Sequence, residues 1–451
     1  MSDFDLSISG GTIVKPDTVI QADLGIADGK IAEIGPDVCG RSREKVVAEG
    51  LHIFPGFIDS HVHFNEPGRL EWEGFETGTR ALAAGGGTLF FDMPLNSSPP
   101  TIDAESFRLK LAEAEKKSLT DFALWGGLVP GNLDRLGELA DRGVVGFKAF
   151  MCASGMEDFP WVDEATLREG MKRAAQLQIP VAVHAESQVM IRKLSEERLA
   201  QGRTSARDYV ESRPIEAELE AIRVAIEIAG ETGCALHIVH VSCGEGVQII
   251  ADARRRGVNV SCETCPHYLA LTENDVEKVG PPAKCAPPLR PAAQQAQLWQ
   301  QITAGEITTV GSDHSPSPPE TKQDANFFKI WGGISGVQHA LPLLLTEAHV
   351  KRGMPLPSVA ALVSRNVVQR FKLPHEKGQI EAGKDADLAL VDLGQNFEIK
   401  ATDLLYRHAQ SPYVGRTLQA KVVRTILRGQ TIFENGKIVA NPAGRFIKPR
   451  R

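Results

Sequence analysis

Apolar and polar residues alternate along the opening segment, interrupted by turn signals. DLSISGGTIVKPD and IQADLGIADGKIAEIG read as short strands broken by Gly-Gly, Pro-Asp and Asp-Gly. The C-terminal stretches KDADLALVDLG, AKVVRTILRG and QTIFENGKIV have the same texture. ISGGTIV and LRGQTIF share a strand-Gly-x-Thr-Ile pattern, too short for a repeat, which suggests that the two ends join in one small β domain. Between them the period changes. DAESFRLKLAEAEKK, DEATLREGMKRAAQL and IEAELEAIRVAIEIAG carry apolar residues at helical spacing. They alternate with eight β-rich runs: Ile53–Phe64, Thr88–Met93, Phe122–Leu128, Val144–Phe150, Val181–Glu186, Ala235–Ser242, Asn259–His267 and Ile307–His314. Strand–helix alternation predicts parallel strands, and eight units predict a (β/α)8 TIM barrel, although a doubly wound sheet also accommodates eight strands. The predicted division places residues 55–377 in the barrel and residues 1–54 and 378–451 in the small domain.

Composition narrows the class. Hydrophobic residues make up 42% and charged residues 24% of the 451, which excludes disorder, collagen and coiled coil as global descriptions. The net charge of −7 and the absence of a long basic run predict no nucleic-acid partner. The one dense basic run, Arg445 to Arg451, reads as a solvated terminus. Seven cysteines are too few for a disulfide scaffold, and the number is odd; reduced thiols in a cytoplasmic protein are expected. The first residues lack a signal-peptide pattern, and no apolar run is long enough for a membrane helix.

The chemistry gathers at strand ends. His61 and His63 are two apart, so in a strand they share a face and one metal ion can take both. His184 ends the fifth run. In LHIVHVS, His237 and His240 face opposite ways, and His240 is nearer the C-terminal end. Asp313 ends the eighth run. Each alone is compatible with a buried histidine or a loop-capping Asp. Together they give four histidines and a carboxylate at the barrel face that carries active sites, a ligand set suited to zinc or a related first-row metal. Lys148 sits inside the apolar run GVVGFKAFM, where an ammonium needs a partner. Either it pairs with an acid, or a depressed pKa makes its amine nucleophilic towards carbon dioxide, giving a metal-bridging carbamate. Cys262, Cys265 and His267 in CETCPH could begin a zinc site, but no second Cys pair follows. Phosphate-loop and Gly-x-Ser-x-Gly motifs are absent.

GFIDSHVHFNEPG, Lys148 in GFKAF, His184, His240 in HIVHVS and Asp313 in SDHSP together resemble the amidohydrolase superfamily, within it the cyclic amidases. HVHFNEPGRLEWEGFETGTRALAAGG, DMPLNSSPP, WGGLVPGN, ETCPHYL, AKCAPPLR, SDHSPSPPE, WGGISGVQ and SPYVGRT are similar to the bacterial allantoinases, across nearly the whole chain. The resemblance implies a TIM barrel flanked by a β-sandwich built from both termini, in a homotetramer. It implies two divalent ions, zinc foremost, with cobalt, manganese or iron as alternatives. His61, His63 and Asp313 would hold one ion and His184 and His240 the other, with carboxylated Lys148 bridging. It implies hydrolysis of the cyclic amide bond of allantoin to allantoate in purine nitrogen use, Asp313 acting as general base and then acid. Hydantoinase-like enzymes usually carry Tyr where this chain has Ala153, and often Ser where it has Ala286. Dihydroorotases carry Arg where it has Asn65. These departures weaken both neighbouring readings. Asn65, Ala286 and Gly332 are the expected substrate contacts, the last two through backbone. A ligand-free scaffold of the same architecture is the remaining class, and the complete ligand set argues against it.

Overall fold

The structure, a computed structural model, describes residues 4–36, 38 and 42–450. Eight parallel strands form a closed barrel: β1 (Phe57–Val62), β2 (Gly87–Asp92), β3 (Asp121–Leu124), β4 (Phe147–Phe150), β5 (Val181–His184), β6 (Leu236–Ile238), β7 (Val260–Thr264) and β8 (Thr309–Val310). Each matches one of the eight β-rich runs, β2 and β3 beginning one residue ahead of theirs. Neighbours pair in parallel register from β1 to β3 and from β4 to β8, and Gly126–Gly127 carries the chain from β3 onto β4. The ring closes through a Val62–His314 bridge, where the His63 N–H donates to the His314 carbonyl at 2.8 Å. Every residue of these strands is buried, as parallel strands under a helical layer require.

The helical patterns form helices with the expected bounds. Ala104–Lys117 is opened by a reciprocal Asp103–Ser106 capping box and closed by Lys116 and Lys117, which suit the negative end of its dipole. Glu164–Gln176 starts at an Asp163 cap, and Ile215–Thr232 stops at Gly233 in the left-handed region.

The first β-rich run divides at Gly56. His52–Pro55 joins a different sheet, pairing antiparallel with Leu388–Asp392. A side chain at Gly56 would lie 2.2 Å from Thr88 Oγ1, so only glycine permits this change of sheet. Early and late strands together build that seven-stranded sheet, and four early strands build a second. Ile8, Leu24 and Ile26 of the second meet Ile53, Leu388 and Ile426 of the first in one apolar core. The C-terminal tail departs from a freely solvated terminus. Its basic side chains at 445, 448 and 450 are exposed, but its backbone docks on the barrel. Phe122 N–H donates to the Arg445 carbonyl, Ile447 N–H donates to the Phe122 carbonyl, and Phe446 stacks on Phe122. Arg451 lies outside the described residues. Among those residues, no helix is long and apolar enough to cross a membrane.

Candidate metal centre

The C-terminal ends of the strands bring the predicted side chains together. His61 Nε2 and His63 Nε2 lie 3.2 and 3.4 Å from one oxygen, Asp313 Oδ1. Asp59 couples the two strands that carry them, accepting the His61 and Ser312 N–H groups on one carboxylate oxygen. Across the mouth, His184 Nδ1 faces His240 Nε2 at 3.1 Å. The His61 and His240 rings, 5.5 Å apart, join the two halves. Lys148 lies beneath them, fully buried, with no hydrogen-bond partner for Nζ among the described residues. His237 turns away to bond Ser261 Oγ at 2.7 Å, so His240 alone of that pair reaches the mouth.

Each half is braced from behind. His61 Nδ1 meets Glu263 Oε1 at 2.9 Å, and Ser60 Oγ donates to the other Glu263 oxygen. Gly311 makes room for this carboxylate: a side chain there would lie 2.6 Å from Glu263 Oε2. His63 Nδ1 is 3.3 Å from the Asn96 amide nitrogen. His184 Nε2 meets Glu186 Oε2 at 2.7 Å, and Arg213 grips both oxygens of Glu186. Carboxylates behind imidazoles fix the ring orientation and leave the forward nitrogen basic. Sequence reasoning passed over these partners. The available signals were a lone acid inside the buried strand Val260–Thr264 and an acid two residues after His184.

The electrostatics suit a cation. Burial pushes Lys148 down to about 7, against the pull of Asp313 and Glu263. Burial also lowers His63, His184 and His240, keeping the rings neutral and able to ligate. Asp313 is held well below the carboxylate range: burial opposes this, and His61, His63 and His240 outweigh it. Glu186 falls to about 2, because Arg213 and His184 overcome its burial. Cys152 stands close enough to His184 and Glu186 to form a second ligand cluster beside His61, His63 and Asp313. Burial and Glu186 push its thiol up to about 12, so the thiolate that a metal needs is disfavoured at neutral pH. Among the described residues, Cys262, Cys265 and His267 form no such cluster. All six cysteines in the described residues are free.

Two of these side chains sit on strained backbone. His240 and Asp313 have φ of 40° and 45°, a left-handed conformation that costs about 1–3 kcal/mol at a non-glycine residue. Above the centre opens a cavity of about 600 Å³. The four predicted histidines, Asp313, Ala286 and Gly332 line it. Asn65 does not: its side chain is buried, with Nδ2 donating to the Pro316 carbonyl at 3.3 Å.

A barrel with this mouth defines a class. Residues 52–438 match the model of the amidohydrolase family, and the chain belongs to that family. Within it the chain is 55% identical to an allantoinase of Rubrobacter xylanophilus, covering 100% of this chain and 99% of that one. It is 51% identical to an allantoinase of Deinococcus radiodurans, covering 99% of each. Among solved structures it superposes on an L-hydantoinase (dihydropyrimidinase) from Arthrobacter aurescens with a TM-score of 0.96 at 33% identity, covering 99% of this chain and 100% of that one.

Proposed function

We propose that the protein is an allantoinase, a metal-dependent hydrolase that opens the cyclic amide of allantoin to give allantoate. The observation that carries the mechanism is the convergence of four imidazoles and Asp313 around the Lys148 amine, which has no hydrogen-bond partner among the described residues. These residues fit a pair of divalent ions. His61, His63 and Asp313 would hold one, His184 and His240 the other, and Lys148, once carboxylated, would bridge. Such ions supply hydroxide at neutral pH and polarise the scissile carbonyl. Zinc is the first candidate, and cobalt, manganese and iron suit the same donors.

The chain's own groups manage the proton and the substrate. Asp313, ionised and at the cavity wall, accepts the attacking hydroxide's proton as its oxygen bonds the carbonyl carbon. It then delivers that proton to the ring nitrogen as the C–N bond breaks, leaving a carboxylate and a neutral amide nitrogen. Glu263 and Glu186 keep the His61 and His184 rings oriented. The cavity wall holds the heterocycle above them. The hydantoinase reading fits less well. Ala153 brings no phenol to the cavity, its N–H is bonded to Gln188, and the Tyr209 hydroxyl donates to the Cys285 carbonyl. Turnover of allantoin, hydantoin, dihydrouracil and dihydroorotate with defined metals tests the proposal. A kcat/KM higher for any of the other three moves the assignment to that neighbour. The homotetramer is likewise proposed, and sedimentation of the metal-loaded protein checks it.

A further inference from the structure

Two lysines buried beside the cavity, away from the metal-binding side chains, have no acidic partner among the described residues. Lys284 and Lys322 are only 4% and 7% exposed. Lys284 Nζ donates to the Phe327 carbonyl at 2.7 Å and to the Ile330 carbonyl, beneath the Tyr209 ring. Lys322 Nζ donates to the Gly333 and Trp331 carbonyls at 2.9 and 3.1 Å, with Pro281 O at 3.4 Å. The Lys284 carbonyl in turn accepts the Gly333 N–H at 2.8 Å. Two ammonium groups thus hold one short segment, 327–333, which supplies a wall of the cavity.

Apolar side chains would fill these positions without the cost of burying a charge. That cost is visible: burial pushes Lys284 down to about 7 and Lys322 to about 8. What an ammonium adds is direction, because its three donors turn three carbonyls towards one point. A trans peptide is planar, so turning the Trp331 carbonyl towards Lys322 turns the Gly332 N–H the other way. Gly332 lines the cavity, and no hydrogen bond within the described residues occupies its N–H or its carbonyl.

We propose that Lys284 and Lys322 are positioning residues for substrate recognition, holding residues 327–333 in the shape that presents the Gly332 peptide groups to a bound ureide. This rests on the ring-opening reading given above. The test uses Lys322→Met and Lys284→Met separately, each metal-loaded. Each should raise KM for allantoin about tenfold, the scale of one charge-assisted hydrogen bond, while kcat and metal content hold. Amide hydrogen exchange should accelerate in residues 319–336 and nowhere else. Unchanged KM, a joint fall of kcat and metal content, or exchange that rises throughout the chain would overturn the proposal. A wild-type enzyme inactive on allantoin would overturn only the functional reading. The exchange measurement needs no substrate and still judges the clamp: confined acceleration supports it, and unchanged exchange overturns it. If one variant fails to fold, the other decides by the same measurements.

Discussion

At the base of the barrel the Lys377 ammonium lies 2.7 Å from Asp121, 2.7 Å from Asp387 and 2.9 Å from Asp385. Arg428 pairs with Asp121 from the other side, and its N–H donates to Asp387. At the mouth, the equally buried Lys148 Nζ and His240 Nδ1 have no hydrogen-bond partner among the described residues. Both ends bury ionisable groups, a choice folding alone disfavours. At the base each charge is answered within the chain, and the network ties the small domain's strands to β3. At the mouth the forward nitrogens of His61 and His63 converge on Asp313 and those of His184 and His240 on one another, Lys148 Nζ and His240 Nδ1 are left over, and His240 and Asp313 sit on strained backbone. Groups left unanswered in a buried site mark where the protein binds something from outside.

The largest effect should come from the mouth. Stripping the divalent ions should abolish turnover, because water then returns towards its bulk pKa of about 15.7. Cobalt, manganese or zinc should restore it. Lys148→Ala should reach the same background and lose at least one ion per chain while the protein still folds. Bicarbonate during reconstitution should raise activity of the wild type, and a short carboxylic acid should partly rescue the variant. Full activity in a metal-free sample, or in Lys148→Ala without rescue, would make the mouth no different from the base.

The base should respond in the opposite way. Lys377→Met removes the cation that three acids share; Asp121 keeps Arg428 and Asp385 keeps Lys30, while Asp387 is left buried without a cation among the described residues, a loss of about 3–5 kcal/mol in stability. Metal content and kcat per folded molecule should stay at wild-type levels. Denaturant unfolding and metal analysis on one preparation separate the two outcomes. A drop in kcat without a drop in stability would dissolve the contrast.

The sequence showed the two ends unequally. The barrel strands were readable because buried parallel strands are continuous apolar runs, and the mouth's ligands were readable as polar interruptions of them. His61 and His63 declared their shared face by a spacing of two. The bracing acids were not legible, since Glu263 is paired with a residue 202 positions away, and only the closed barrel brings the two together. The same holds for Lys377 and Asp121, 256 positions apart. Asn65 was expected at the cavity because dihydroorotases carry Arg at its position. Its backbone instead turns through a φ of 65°, and its amide meets Pro316. Ile53–Phe64 read as one run across Gly56 because both of its halves are apolar.

Intermediate effects should separate the two halves of the mouth. Glu263→Gln keeps the shape behind His61 and removes the charge, which should weaken metal binding about 10–100-fold. Glu186→Gln should do the same behind His184 and also leave the half-buried Arg213 without its acid, so it alone should destabilise the fold. Metal titration and thermal unfolding of both variants would show this. Equal loss of stability in the two would mean that Arg213 finds another partner.

The smallest effect is a change of slope with pH at the base. Asp385 in the native protein sits below its ordinary value; burial would raise it, and the Lys377 and Lys30 ammonium groups outweigh burial. A carboxyl lowered in the folded state contributes stability that is complete above the unfolded pKa of about 3.9 and is lost as pH falls through the lower folded value. Wild-type stability should therefore fall on acidification. Lys377→Met removes a lowering charge from Asp385, which keeps Lys30, and from Asp387, whose folded value burial already raises. The Asp387 value then rises further above the unfolded one, so this acid destabilises the variant at neutral pH more than it does the wild type. That penalty is relieved as pH falls through the raised folded value. The gap between wild type and variant should narrow steadily from about pH 7 to about pH 4. Denaturation midpoints across that range measure it. A gap that stays constant would mean that Lys377 acts through packing, and that the charges at the base do not answer one another.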